Sequence, residues 1–121
     1  MIEKGPSVSY SRQIEVVRTE EFEAWLAKLK DLSGKGRIIR RLDRLGQGNA
    51  GDVRPIGRGL SELRIHVGPG YRVYFMQDGD TLILLLCGGD KSTQRRDTTR
   101  ARKLAQEWLA DRKKSAKEEK R

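Results

Sequence analysis

Apolar residues along this chain recur first at helical spacing and then at alternating spacing, and the change of period falls near Gly51. Phe22, Trp25, Leu26 and Leu29 stand at i, i+3, i+4 and i+7, one stripe of an amphipathic helix. Thr19 is placed to cap it, with Glu20, Glu21 and Glu23 in the turn where the helix dipole favours negative charge. Ser33-Gly34 is expected to break this helix. A second follows, with Ile38, Ile39, Leu42 and Leu45 inward, Arg37, Arg40, Arg41 and Arg44 mostly outward, and Gly46 and Gly48 at its end. Ahead of both, Tyr10 to Val17 alternates weakly and is predicted to be a strand.

Beyond Gly51 the period is two. Asp52 to Ile56 is a weak strand that Pro55 assigns to a sheet edge. Leu60 to Val67, Tyr71 to Gln77 and Thr81 to Cys87 are stronger, separated by Gly68-Pro69-Gly70 and Asp78-Gly79-Asp80 turns. Leu82 to Leu86 is apolar on both faces, as for a strand inside the sheet. A third helix follows the Gly88-Gly89-Asp90-Lys91 break, capped by Ser92 or Asp97, with Ala101, Leu104, Ala105, Trp108 and Leu109 on its apolar stripe. Lys113 to Arg121 is almost wholly charged and reads as a frayed extension. Trp25 and Trp108 fall on the apolar helix stripes and Cys87 in an apolar run, and all three read as core. The fold class is α+β: an antiparallel sheet, two N-terminal helices and a C-terminal helix.

At 121 residues the chain supports one domain, and its net charge of +9 attracts polyanions: nucleic acid, an anionic membrane or an acidic protein. The sequence has no run of about 18 apolar residues to span a membrane, and its first residues lack the apolar stretch of a signal peptide. A lone cysteine forms no internal disulfide, which fits a reducing, cytoplasmic setting. One His and one Cys without a carboxylate cluster build no metal site, so no metal or other cofactor is expected.

Counting across the central hairpin locates candidate chemistry. If Gly68-Pro69-Gly70 is a three-residue loop, Leu63 opposes Phe75 and Ile65 opposes Val73 on an apolar face. The opposite face then pairs Glu62 with Met76, Arg64 with Tyr74 and His66 with Arg72. Two guanidinium groups beside an imidazole and a phenol offer a phosphate clamp, a proton-transfer group and a stacking surface. A merely solvated strand face with weak surface ion pairs accounts for the same residues.

Glu62-Leu63-Arg64-Ile65, Gly68-Pro69-Gly70-Tyr71-Arg72-Val73-Tyr74-Phe75 and Leu84 to Gln94 together resemble the addiction-module killer branch of the RelE/ParE toxin superfamily. The resemblance runs from about Ile14 to Leu109 and includes the order of elements. It implies a toxin domain over residues 10–112, between a lead of residues 1–9 and a charged tail of 113–121. It further implies a type II toxin that cleaves messenger RNA on the ribosome without a metal. The 2′-hydroxyl attacks the adjacent phosphate, and the protein must orient the backbone, offset charge and protonate the leaving 5′-oxygen.

On that resemblance Arg72 matches the phosphate-stabilising arginine of the hairpin, Arg64 the basic residue of the preceding strand, and Lys91 a charge stabiliser or proton donor. Where related nucleases carry a catalytic tyrosine or histidine, this chain has Gln94, Arg95, Arg96 and Asp97. The general base is therefore open between His66, Tyr74 and purely electrostatic catalysis. Gln94, Arg95, Arg96, Arg40 and Arg41 are the expected RNA-binding residues. The implied partners are a cognate antitoxin, commonly a helix-turn-helix protein, with messenger RNA and the ribosome. Operator DNA is reached only through the antitoxin, and no membrane is involved. Two other functions share the fold: a ParE-like toxin that binds DNA gyrase, and an inactive remnant kept for autoregulation.

Overall fold

The computed structural model describes residues 13–119. The chain runs β1 (Glu15–Arg18), α1 (Glu20–Lys28), α2 (Leu32–Gly46), β2 (Val53–Gly57), β3 (Leu60–Ile65), β4 (Tyr71–Asp78) and β5 (Leu82–Asp90). A 3₁₀ turn (Lys91–Thr93) then leads into the long α3 (Gln94–Glu119). The five strands form one sheet in the order β1-β5-β4-β3-β2. This is the expected α+β architecture. Pro55 does lie in the edge strand β2, and the apolar β5 lies inside the sheet between β1 and β4. The sheet is mixed, because β1 pairs parallel with β5. Residues 10–12 of the predicted first strand, and the lead of residues 1–9, fall outside the described residues.

Helix α1 begins as its sequence dictates, with Thr19 Oγ1 accepting from the Phe22 amide at 3.1 Å while donating to the Leu86 carbonyl at 2.7 Å. The break before α2 lies earlier than Ser33-Gly34. Asp31 caps α2 by accepting from the Gly34 amide at 3.0 Å, which places both residues in its first turn. Gly34 is there for clearance: a Cβ would lie 2.6 Å from the Tyr71 ring. Tyr71 in turn donates its hydroxyl to Asp31 at 2.9 Å.

Each face of the sheet carries its own core. Phe22, Leu26, Ile38, Leu42 and Leu45 of α1 and α2 pack on Leu63, Ile65, Tyr71, Val73, Phe75, Ile83 and Leu85. Ile39, expected inward, is an exposed position of α2. On the other face Ala101 and Ala105 of α3 pack on Leu60, Tyr74, Met76, Leu84, Leu86 and Cys87. Alanine at the contact lets the helix approach closely, and burying a side chain of Leu or Met size contributes about 1.5–3 kcal/mol. Trp25 and Trp108 are half-buried, each against one of the two cores. The charged segment from Lys113 continues α3 to Glu119 rather than fraying.

The hairpin register differs from the count by two residues. Leu63 opposes Val73, Ile65 opposes Tyr71, and Arg64 opposes Arg72. The reason is a longer connection: β3 ends at Ile65, so His66 and Val67 join Gly68-Pro69-Gly70 in the loop. A shift of two preserves which residues share a face. A bulge in β5 opposite Tyr74 and Phe75 then sets the faces of its last residues.

Candidate functional site

Gly88-Gly89 is not a turn, as its composition suggests, but the last stretch of β5, paired with Val73 and Arg72. Each glycine admits a neighbour from a different side of the sheet. A Cβ on Gly88 would lie 2.3 Å from the Trp25 ring of α1, and one on Gly89 would lie 1.8 Å from the Asp97 carboxylate of α3. Asp97 is also the acceptor for the Thr93 hydroxyl. The strand then turns into the 3₁₀ helix at Asp90, whose carboxylate accepts from the Ser92 amide at 2.8 Å. That cap is neither Ser92 nor Asp97. Its bonds to Ser92 hold the Asp90 carboxyl below its ordinary range. The exposed Lys91 is thereby mounted directly on the end of a sheet strand.

Arg72 lies beside it. A Cβ on Gly70 would be 3.5 Å from both Arg72 Nη1 and Lys91 Cβ, so the two basic residues flank this glycine. Arg72 Nη1 donates to the Gly70 carbonyl at 3.2 Å. Its Nε faces Glu62 Oε1 at 3.5 Å, an ion pair outside hydrogen-bond geometry. Gln94 Nε2 donates to the other Glu62 oxygen at 2.8 Å. Glu62 is 1% exposed and Arg72 only 7%. The face that reads as open and polar is covered by α3, and Arg72 enters the site already paired.

Tyr74, on the same face, is fully buried against α3 and cannot be the open stacking surface that the sequence suggests. Burial, and then the Glu62 charge, raise its phenol above the ordinary range, so it stays protonated. Cys87 is buried core as expected, its thiol pushed up to about 12, chiefly by desolvation.

Arg64 opposes Arg72 and begins a second cluster. Its Nη2 and Nε donate to Asp52 Oδ1 at 2.8 and 3.3 Å, while His66 Nε2 meets Asp52 Oδ2. These bonds, Arg64 first, hold the Asp52 carboxyl below its ordinary value. His66 extends from the loop, not from the strand, with its side chain 65% exposed. Arg41 is half-buried, and its guanidinium is engaged by the backbone. It donates to the carbonyls of Arg64 at 2.8 Å and Ala50 at 3.0 Å, pinning the chain that carries Asp52 to the end of β3. Partial desolvation lowers its guanidinium pKa.

Arg37, Arg40, Arg41 and Arg44 with Ile65 and His66 line a cleft of about 470 Å³. Arg40 is exposed there, and Arg95 and Arg96 are exposed on the first turn of α3 beside Ser92 and Thr99. Gln94 instead points at Glu62. Thus Arg72, Lys91 and Gln94 meet around Glu62 and Gly70, Arg64 and His66 meet on Asp52, and the Arg64–Arg72 pair joins the two groups. Glu62 and Asp52 are the members missed by reading motifs. Glu62 was legible only as a carboxylate on a strand face, and Asp52 only as the first residue of a weak edge strand. Among the described residues, no cluster of three or more His, Cys, Asp or Glu is placed to hold a metal ion. No helix there is long and apolar enough to cross a membrane.

Comparison with known proteins adds two findings. An uncharacterized protein of Haemophilus influenzae is 49% identical over 94 residues, which is 78% of this chain and 95% of that relative. The family model for phage-derived Gp49-like proteins (DUF891) matches residues 24–109, from the middle of α1 through both clusters and into α3. The chain belongs to the phage-derived Gp49-like family.

Proposed function

We propose that this protein is the toxin of a type II toxin–antitoxin pair, and that it cuts messenger RNA on the ribosome by transesterification at a single phosphate. The observation that carries this reading is the meeting of Arg64, Arg72 and Lys91 at one end of the sheet. Arg64 and Arg72, each already beside a carboxylate, and the exposed Lys91 would together suit the extra charge that a phosphate gains as the 2′-oxygen attacks. Arg64 and Arg72 would share the non-bridging oxygens, and Lys91, the most exposed of the three, would serve the leaving 5′-oxygen. The substrate backbone would continue past His66 into the cleft lined by Arg37, Arg40 and Arg44. A net charge of +9 favours this path, since each phosphate contact releases counterions. Membership of the Gp49-like family and the resemblance to addiction-module killer proteins support the toxin role.

The proposed partner is an antitoxin that neutralises this cationic end, a helix-turn-helix protein that also binds the operator. The proposed compartment is the cytoplasm, where ribosomes are. Sequencing RNA ends after brief induction tests the reading. New 5′ ends phased to codons within translated messages are expected, and they should disappear with Arg64→Ala. Growth arrest without new ends would refute cleavage.

A further inference from the structure

The proton that leaves the 2′-hydroxyl still needs an acceptor, and Asp52 indicates which group it is. Asp52 is held on both carboxylate oxygens, Oδ1 by Arg64 and Oδ2 by His66. Arg41 keeps the connection that carries Asp52 from swinging away, through its bonds to the Ala50 and Arg64 carbonyls. An ionised carboxylate only accepts hydrogen bonds, so the imidazole nitrogen facing it must carry the hydrogen. In the neutral ring that leaves the lone pair on Nδ1, on a side chain exposed at the mouth of the basic cleft. The charged groups around the ring are Asp52, Arg64 and the four cleft arginines, and the carboxylate is the one in contact.

We propose that Asp52 is a positioning residue that holds His66 in its Nε2–H tautomer and so makes Nδ1 the general base of RNA cleavage. This inference rests on the nuclease reading above. Nδ1 takes the 2′-hydroxyl proton, the 2′-oxygen forms its bond to phosphorus, and the P–O5′ bond breaks with its electron pair going to O5′. The Lys91 ammonium protonates O5′. The products are a 2′,3′-cyclic phosphate and a 5′-hydroxyl; His66 then gives its extra proton to water and Lys91 takes one back. Asp52 stabilises the imidazolium that forms, the same division of labour as in other base–carboxylate pairs.

Asp52→Asn separates tautomer from shape. Arg64 offers only donors, so the amide oxygen stays toward Arg64 and the amide NH₂ turns to His66. That NH₂ donates to Nε2, moves the ring hydrogen to Nδ1 and removes the base without removing the side chain. His66 is the sole histidine, so ¹⁵N NMR of histidine-labelled protein reads the tautomer without ambiguity. Nε2–H is expected in the native protein and Nδ1–H in Asp52→Asn. Single-turnover cleavage of a ribosome-bound message should fall about 10²–10⁴-fold, with RNA affinity almost unchanged. His66→Ala should lose cleavage similarly and regain part of it with added imidazole, an arm that holds even if Asp52→Asn fails to fold. An unchanged tautomer, or cleavage at the native rate in either variant, overturns the inference while the nuclease reading stands. A native protein that cuts neither free nor ribosome-bound RNA overturns that reading, and the inference with it.

Discussion

Replacing Arg72 by alanine would be the first mutation made to test a phosphate clamp, and the structure says it does two things at once. Glu62 is 1% exposed and loses the guanidinium that faces its Oε1, keeping the Gln94 amide on its other oxygen. Breaking a buried pair by removing one partner costs about 3–5 kcal/mol, because the remaining charge stays desolvated. A chain of 121 residues is expected to have about 6–18 kcal/mol of total stability, at roughly 0.05–0.15 kcal/mol per residue. The variant therefore forfeits a large fraction of it. At about 3–6 °C per kcal/mol, the melting temperature should fall by roughly 9–30 °C. Glu62→Gln combined with Arg72→Ala leaves no stranded charge and should recover at least half of that loss. Thermal and urea unfolding of the native protein, both single variants and the double variant measure this as a cycle. An Arg72→Ala protein melting within about 3 °C of the native one, or a double variant no more stable than the single, would refute the reasoning. The comparison of Glu62→Gln with the double variant is then the sound measure of what Arg72 does for RNA.

Other expectations follow from neighbouring features. Gly88→Ala drives a Cβ to 2.3 Å from the Trp25 ring and should cost about 1–3 kcal/mol with altered tryptophan fluorescence. Gly36→Ala, in α2 with nothing within 4 Å of a new Cβ, should stabilise by about 0.4–1 kcal/mol in the same melts. Arg40→Ala should weaken RNA binding and its salt dependence without changing the melting temperature, whereas Arg41→Ala should lower it, because its guanidinium holds backbone carbonyls. Asp31, Asp52 and Asp90 all have carboxyls below their ordinary value of 3.8, led respectively by the Gly34 amide, Arg64 and Ser92. Their contribution to stability is complete above that value and is lost as pH falls through it toward the folded pKa values. Acid unfolding followed by circular dichroism should thus begin as the pH nears 4, and Asp31→Asn should shallow the slope below it.

The elements and the α+β class were largely legible, because each segment's period agrees with its final state, whereas the parallel pairing of β1 with β5 was not. Val67 shows where local reading ended. It extends the alternation of β3 by one more apolar residue, yet it is half-buried in the loop, and nothing in a period-two pattern marks where the ladder of hydrogen bonds stops. The face assignment survived since the resulting slip was even. The covering of Arg72 and Tyr74 was not legible for a different reason. The stripe of α3 was visible, but a stripe says that a helix packs and not on which side of the sheet. Glu62, Arg64 and Arg72 read as a solvent face, so the layer went unassigned. Likewise Asp52 joins Arg64 and His66 through a contact between sequence neighbours ten or more residues apart, which no motif spacing encodes.

The bare backbone of Gly88 and Gly89 has an evolutionary consequence. Two adjacent codons are each restricted to one amino acid, but by unrelated constraints: an indole from one helix and a carboxylate from another. Drift at the first position must be licensed by a smaller side chain in place of Trp25, and drift at the second by loss of Asp97. Across relatives, Gly88 should therefore covary with position 25 and Gly89 with position 97, while the two glycines vary independently of each other despite being neighbours in the chain.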